Sequence, residues 1–230
     1  LAFFYYDDGE NQKVEANEIT EEGIRKLQSE VIMAAKKFSF AGFDGIQINM
    51  GNNFYLARFM NPYFNQRDDK YGGNTENRAR ISTEIIKVIK KTMDIHVSCR
   101  LNPWDARKGG MTADESIAIA KELEKAGADS IQLTARTISQ IYDKGEKHPF
   151  LVYVEKLIDA IDIPVVLGGS FRDMDLINEI LNSSTVDFVS MSKPFVAQPD
   201  LLADWKKNGK GVAICHSCNN CYSKKTSTCF

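Results

Sequence analysis

The chain has 230 residues, 43% of them hydrophobic and 26% charged, and no run of about 18 apolar residues, which excludes a disordered chain and a membrane-spanning helix. Lys and Arg number 29 against 31 Asp and Glu, a net charge of -2 with no basic block, so nothing supports binding to nucleic acid or an anionic membrane. The length fits either one α/β domain of up to roughly 250 residues or two small domains.

The sequence begins at Leu1, not Met, and Leu1 to Tyr6 lacks the length and basic flank of a signal peptide, so the start reads as a cut. Thr20 caps a helix whose apolar positions Ile24, Leu27, Val31, Ala34, Ala35 and Phe38 share one face, and the pattern changes at Gly42. Gly45 to Met50 reads as a strand ending in polar residues. Asn74 caps a helix with the inner face Ile81, Ile85, Val88 and Ile89, and Ile95 to Leu101 is the next strand. Thr112-Ala113-Asp114-Glu115 is a capping box, opening a helix with Ile119, Leu123 and Ala126 that Gly127 stops before a strand at Ser130 to Thr134. Leu151 to Ile161 read as a helix, Pro164 to Leu167 as a strand, Met174 to Leu181 as a helix and Val186 to Met191 as a strand. A last helix spans about Leu201 to Lys206.

Strands separated by amphipathic helices imply an α/β fold with parallel pairing, since the helix supplies the long connection that parallel neighbours need. Five strands are expected, near Ile48, Cys99, Gln132, Val166 and Val189, in a single domain over residues 1–230 that ends in a cysteine-rich tail at 215–229. In such folds the loops leaving the carboxyl ends of the strands build the active site. Those loops hold Asn49, Asn52 and Phe54 after the first strand, Arg100 at the end of the second, Thr134 to Arg136 after the third, Gly168 to Ser170 after the fourth and Ser192-Lys193 after the fifth.

Each constellation has a chemical and a plain reading. Gly168-Gly169-Ser170 with Ser192-Lys193-Pro194 matches a phosphate cradle of glycine-freed amides and a lysine, or is an ordinary turn beside a solvated charge. Arg100, ending an apolar strand, calls for an anionic ligand or a structural ion pair. Asn49 and Asn52 either converge two amides on a carbonyl oxygen or form a turn. His96, His148 and His216 show no metal spacing, and the first two read as structural. Cys215, Cys218, Cys221 and Cys229 follow a C-x2-C-x2-C-x7-C pattern that suits zinc or an iron-sulfur cluster, or else is a set of free thiols or a packed turn. Their crowding, with Cys99 alone elsewhere, argues for a reducing, cytoplasmic setting.

Ala41 to Arg80 contains Gly42-Phe43-Asp44-Gly45-Ile46, then Phe59-Met60-Asn61-Pro62, then the run from Asn65 through Tyr71-Gly72-Gly73 to Arg80. This stretch resembles the old yellow enzyme family of NADH:flavin oxidoreductases, for which the N-x-R-x-D-x-Y-G-G-x-x-E-N-R-x-R run is highly specific. The resemblance continues through Val97 to Leu101, Gly109 to Thr112, Val166 to Gly169, Ser190 to Pro194 and Pro199 to Leu201, covering nearly everything from Thr20 onward. It implies a (β/α)8 TIM barrel with FMN as cofactor. Hydride would pass from NAD(P)H through the flavin to the β-carbon of a small α,β-unsaturated carbonyl substrate, with a tyrosine protonating the α-carbon. By the same resemblance Arg100 would contact the flavin near N1 and O2, Gly168, Gly169, Ser192 and Lys193 would hold the FMN phosphate, and Asn49 and Asn52 would bind the substrate carbonyl.

The departures from the family pattern carry expectations too. Asn49-x-x-Asn52 replaces His-x-x-His or His-x-x-Asn, so the amides donate but bring no positive charge. The proton-donor tyrosine falls on Phe54, Tyr55 is one residue away, and no catalytic residue is assigned, so low or altered ene-reductase activity is expected. Ser192-Lys193 replaces Gly-Arg. Branches bearing an iron-sulfur cluster have Cys-x2-Cys-x3-Cys; the third gap here is one residue shorter and the last cysteine nearer, so no metal is expected. Three βα units would precede the Thr20 helix in the family, whereas Leu1 to Glu18 do here, so the chain reads as a partial barrel holding the fourth to eighth strands. Its open edges invite a partner or a second copy. Two other readings stay open: a non-catalytic remnant held by such a partner, and a different phosphate-binding barrel enzyme, which leaves the Tyr71-Gly72-Gly73 run unexplained.

Overall fold

The computed structural model describes residues 18–134, 148, 150–169, 171–183, 186–218 and 221. Along the chain run α1 (Glu21–Phe40), β1 (Gly45–Met50), α2 (Tyr55–Met60), α3 (Thr75–Thr92), β2 (His96–Leu101), α4 (Ala113–Lys125), β3 (Ser130–Leu133), α5 (Leu151–Ile158), β4 (Val165–Gly168), α6 (Met174–Asn182), β5 (Phe188–Ser190), α7 (Lys193–Ala197) and α8 (Leu201–Asn208). The strands form one sheet in the order β1-β2-β3-β4-β5, with β1–β2 and β4–β5 parallel, as the alternation of helix and strand implies. All five stand where the sequence places them. The chain divides between Ile131 and Gln132, inside β3, into two compact units.

In the first unit the caps act as their residues dictate. Thr20 Oγ1 accepts the Gly23 N–H, Asn74 Oδ1 accepts the Asn77 N–H, and Thr112 and Glu115 complete a reciprocal box at α4. On β2 the side chains alternate, with Val97, Cys99 and Leu101 fully buried beside Ile48 and Met50 of β1. Ile81, Ile85, Ile86 and Ile89 of α3 and Ile119 and Leu123 of α4 are also buried, each contributing about 1.5–3 kcal/mol relative to an exposed position. The other positions of these strands are polar: Gln47, Asn49, His96, Ser98 and Arg100.

Two inner faces are narrower than the periodicity implies. Val88 is 41% exposed, because Ile86 takes the inner position beside Ile85. On α1 only Ile24 and Ala35 are buried, while Ala34 and Phe38 face water. The connection from Gly51 to Asn74 also contains α2, six residues long and too short for a periodic signal.

The Asn65–Arg80 run closes this connection on itself. Asn65 Nδ2 donates to the carbonyls of Phe59 and Tyr71, both at 2.7 Å. Arg67 pairs with Asp69 through two nitrogens and reaches the Ile19 carbonyl at 2.6 Å and Glu18 at 2.9 Å. The Arg67 hydrogen bond holds the Asp69 carboxyl below its usual range, and Asp69 in turn accepts the Tyr71 N–H. A Cβ on Gly72 would stand 2.1 Å from the Arg67 carbonyl oxygen, and Gly73 has φ +76°, so neither position takes another residue without strain. The buried Arg78 donates to the carbonyls of Met60 and Gly73 and pairs with Glu115. Burial alone would raise the Glu115 carboxyl, but the Thr112 N–H and the Arg78 charge outweigh it and hold it low.

In the second unit Val165 and Leu167 of β4 are buried, with Tyr153, Val154 and Leu157 of α5, Ile177 and Ile180 of α6 and Leu201 and Trp205 of α8. The β4–β5 register sets Val166 opposite Phe188, Leu167 opposite Val189 and Gly168 opposite Ser190. Some bounds differ from those expected, and one helix is additional. The last of the α5 residues is Ile158 rather than Ile161, β5 is three residues long, and α7 follows it directly. Among the described residues no helix is long and apolar enough to cross a membrane.

Candidate active site

At the carboxyl ends of β1 and β2 the parallel register puts Asn49 opposite Arg100, on the polar side of both strands. Asn49 Oδ1 accepts the Gly51 N–H at 3.2 Å, and Asn52 and Asn53 follow with φ of +53° and +61°, a conformation that asparagine tolerates better than most residues. The Asn52 N–H donates to Asn102 Oδ1 at 2.9 Å. Both predicted asparagines therefore shape the turn, and the same turn brings them beside the end of β2. Arg100 is half-buried.

Phe54 begins the next helical segment with its ring 55% exposed. Tyr55 packs against Phe59, with ring centroids 5.6 Å apart, and burial raises its hydroxyl above the usual value, the Arg67 charge opposing. It stays protonated at neutral pH. Cys99, beneath this site on the apolar face of β2, has its thiol pushed up to about 12 by burial, with the Asp129 charge adding, and is chemically inert.

Partners that sequence reasoning missed tie the two loops together. Asn61 Nδ2 donates to Asp105 at 2.6 Å, and Ser116 Oγ donates to the Asn102 carbonyl at 2.7 Å. The Arg107 guanidinium lies over the rings of Tyr63 and Phe64. The one sequence signal for any of these is Asn61-Pro62 in the Phe59 to Pro62 stretch.

In the second unit the glycines stand at the end of β4. A Cβ on Gly168 would lie 2.5 Å from the Leu133 carbonyl oxygen and 3.0 Å from Ser190 Oγ. Gln132 Nε2 donates to that hydroxyl at 2.7 Å, a pairing the sequence did not indicate. Gly169 has φ +100°; its N–H reaches the Ser190 carbonyl at 3.4 Å and its own carbonyl accepts from His148 Nε2 at 2.9 Å. His148 is a structural histidine, as expected. It is buried, stacked on Phe171, and burial pulls its pKa down to about 4, the Gly169 bond opposing. Ser192 and Lys193 follow β5 at the start of α7.

The predicted residues thus gather as two groups, Asn49, Asn52, Phe54 and Arg100 on one unit and Gly168, Gly169, Ser192 and Lys193 on the other. Thr134 is buried at the end of β3, whereas Ala135, Arg136 and Ser170 lie outside the described residues. Cys215 is buried, Cys218 exposed and Cys221 half-buried, all as free thiols, while Cys229 lies outside the described residues. Among the described residues no three His, Cys, Asp or Glu side chains gather as metal ligands.

A profile of the NADH:flavin oxidoreductase / NADH oxidase family matches residues 3–210. NADH oxidase of Thermoanaerobacter brockii is 31% identical over 214 residues, which covers 88% of this chain and 32% of that protein. Among solved structures, 2-naphthoyl-CoA reductase in complex with 2-naphthoyl-CoA is similar with a TM-score of 0.79 at 28% identity, over 89% of this chain and 32% of that one. The old yellow enzyme homologue from Zymomonas mobilis shares the fold, with a TM-score of 0.76 at 22% identity, over 93% of this chain and 60% of that one. The chain spans about a third of the first two relatives and three fifths of the last. With the family profile matched along most of its length and five parallel strands in the expected order, the chain belongs to the NADH:flavin oxidoreductase / NADH oxidase family.

Proposed function

We propose that this chain serves an FMN-dependent NAD(P)H oxidoreductase of old yellow enzyme type, acting on a small α,β-unsaturated carbonyl compound. The observation that carries this reading is the β1–β2 register. It sets Asn49 opposite Arg100 with Asn52 in the adjoining turn, so that amide donors and a cation meet at the strand ends where this architecture does its chemistry.

The residues fit FMN. Arg100 supplies a guanidinium suited to the pyrimidine edge of the ring, where it would offset negative charge. Gly168 has no room for a Cβ, Gly169 turns left-handed, and Ser192 and Lys193 add a hydroxyl and an ammonium, a donor set suited to a phosphate. The Gly169 N–H contact at 3.4 Å is at the long limit of hydrogen bonding, which leaves that amide available. When bound, FMN supplies a ring that takes hydride from NAD(P)H and delivers it to the alkene carbon.

The chain's own residues then orient and polarise. Asn49 and Asn52 donate from neutral amides to the substrate carbonyl oxygen, with less stabilisation of developing charge than an imidazolium gives. Phe54 has no proton to supply, and Tyr55 packs on Phe59 with a raised pKa, so the α-carbon takes its proton from water or another group and turnover is low. The free thiols of Cys99, Cys215, Cys218 and Cys221 suit a reducing, cytoplasmic compartment. Purified protein should be yellow, with absorbance near about 450 nm that NADH or NADPH bleaches. A colourless preparation that takes up no added FMN would refute this reading and favour the non-catalytic one, for which Phe54 speaks.

A further inference from the structure

The exposed apolar residues of α1 fall into two sets. At about 100° per residue, Ala34 and Phe38 border the buried Ile24 and Ala35, at the margin of the inner stripe where a neighbouring element of a barrel wall packs. Met33 and Phe40 point the opposite way and are 51% and 95% exposed. A barrel wall has no layer on that side, so closing the barrel leaves these two in water. Phe38 and Phe43 meet edge to face at 5.2 Å beside the end of the helix, which extends the apolar surface around Phe40.

The charges around Met33 are arranged to complement themselves. Glu30 and Lys37 flank it on one side, within about 60°, and Ser29 and Lys36 flank it on the other. Lys26 lies on the same outer face, and all of these residues are exposed. The ion pairs of α1 join Glu21 to Arg25 and to Lys70, and none among the described residues takes up Lys26, Glu30 or Lys37. A second α1 laid antiparallel on this face, centred beside Met33, sets Met33 against its own copy. It also brings each Glu30 opposite Lys37 of the other copy, because the two positions are equally far from the centre and on the same flank. Lys26 then meets the ring of the other Phe40, a cation on an aromatic face. A parallel pairing would oppose Glu30 to Glu30 and Lys37 to Lys37, so the charges select the antiparallel arrangement.

We propose that the outer face of α1 is a self-association surface, on which a second copy of this chain packs its own α1 antiparallel about a twofold axis beside Met33. The proposal goes beyond the reaction argued above and is independent of it.

The test is sedimentation velocity of the full chain as purified, over a concentration series reaching about 200 μM. One helix face on another is at the small end of specific interfaces, so the wild type should pass from monomer to dimer with a Kd of roughly 10–100 μM. Met33→Glu should weaken the dimer at least about tenfold. Glu30→Lys and Lys37→Glu should each weaken it about tenfold alone, since either change opposes like charges at both ends of the contact. Mixed in equal amounts the two variants should associate more tightly than either alone, and the double variant should regain wild-type affinity. Circular dichroism and melting identify a variant that fails to fold; Glu30→Gln or Lys37→Gln then replaces it, with a loss of about threefold expected. A wild type that stays monomeric through the series overturns the proposal and leaves this face to a different occupant. A dimer that Met33→Glu does not weaken overturns it too, and would place the contact elsewhere, at the open edge of β1 or β5. Charge variants that gain nothing when mixed refute the antiparallel register.

Discussion

Protonation of the buried His148 should cost this fold stability. The ring is 2% exposed and stacked on Phe171 with centroids 4.6 Å apart; Nε2–H donates to the Gly169 carbonyl and Nδ1 accepts the Phe150 N–H at 3.4 Å. The neutral tautomer thus uses both nitrogens, and burial lowers the pKa from 6.5 to about 4 against the pull of the Gly169 bond. A histidine whose folded value lies below its unfolded value binds fewer protons when native. Its stability contribution is therefore complete above pH ~6.5 and lost as pH falls through about 4. Those two values give a loss of about 2 kcal/mol between pH 7 and pH 5, approaching ~3 kcal/mol below pH 4. His148→Phe keeps a ring on Phe171 and removes the titrating site. Urea unfolding at pH 7, 6 and 5, followed by tryptophan fluorescence, measures the effect above the range where the carboxylates of Asp69, Asp129 and Glu115 titrate, since all three are held low. The variant should lose about 1 kcal/mol at every pH from the missing hydrogen bond, while the wild type loses a further 2 kcal/mol or so on acidification that the variant does not. Parallel pH dependence in the two proteins would refute the reasoning, because it would mean that His148 takes up its proton equally in the folded and unfolded chains.

Gly72→Ala should lower the melting temperature by roughly 10 °C, about 3 kcal/mol, since its Cβ would stand 2.1 Å from the Arg67 carbonyl oxygen in a loop pinned by Arg67 on the Ile19 carbonyl and Asn65 on the Tyr71 carbonyl; an unchanged melt would show that this backbone yields. Glu115→Gln leaves the buried Arg78 without its counter-charge and weakens the α4 capping box, and should cost about 3 kcal/mol in urea unfolding at pH 7; a loss below ~1 kcal/mol would place the worth of Glu115 in its cap alone. Phe54→Tyr restores a hydroxyl at the exposed start of α2 and should raise turnover of 2-cyclohexenone at least about tenfold; no change would mean that position 54 is not at the reacting carbon.

What the sequence made legible is what local chemistry encodes. Thr20, Asn74 and the Thr112 box cap the helices they announce because a cap is a contact over three residues. The five strands were legible because each lies between a helix stop and a polar carboxyl end. Periodicity gives the stripe of α1 but not what covers it, so Phe38, which its spacing places on the inner face, is 48% exposed. The residues that assemble the site come from further away. Asn52 with Asn102, Asn61 with Asp105 and Gln132 with Ser190 are 50, 44 and 58 residues apart, and no local pattern announces them.

The most specific stretch, Asn65 to Arg80, is where a motif and a reaction come apart. Most of its contacts described above close backbone, Asn65 on two carbonyls, Arg67 on Ile19, Gly72 against Arg67 and Arg78 on Met60 and Gly73, and its ion pairs of Arg67 with Asp69 and of Arg78 with Glu115 hold those arginines in place. Its residue types are demanded by the path of the chain, because a Cβ at position 72 or a residue intolerant of positive φ at 73 breaks the clasp whatever chemistry is done nearby. The run therefore identifies the scaffold and is indifferent to the reaction. The chemistry has to be argued from Asn49, Asn52 and Phe54, the positions at which this chain departs from the pattern it resembles. There the fold fixes where side chains stand and leaves open what they carry, and for that reason one hydroxyl at position 54 is a sharper test of function than any change within the clasp.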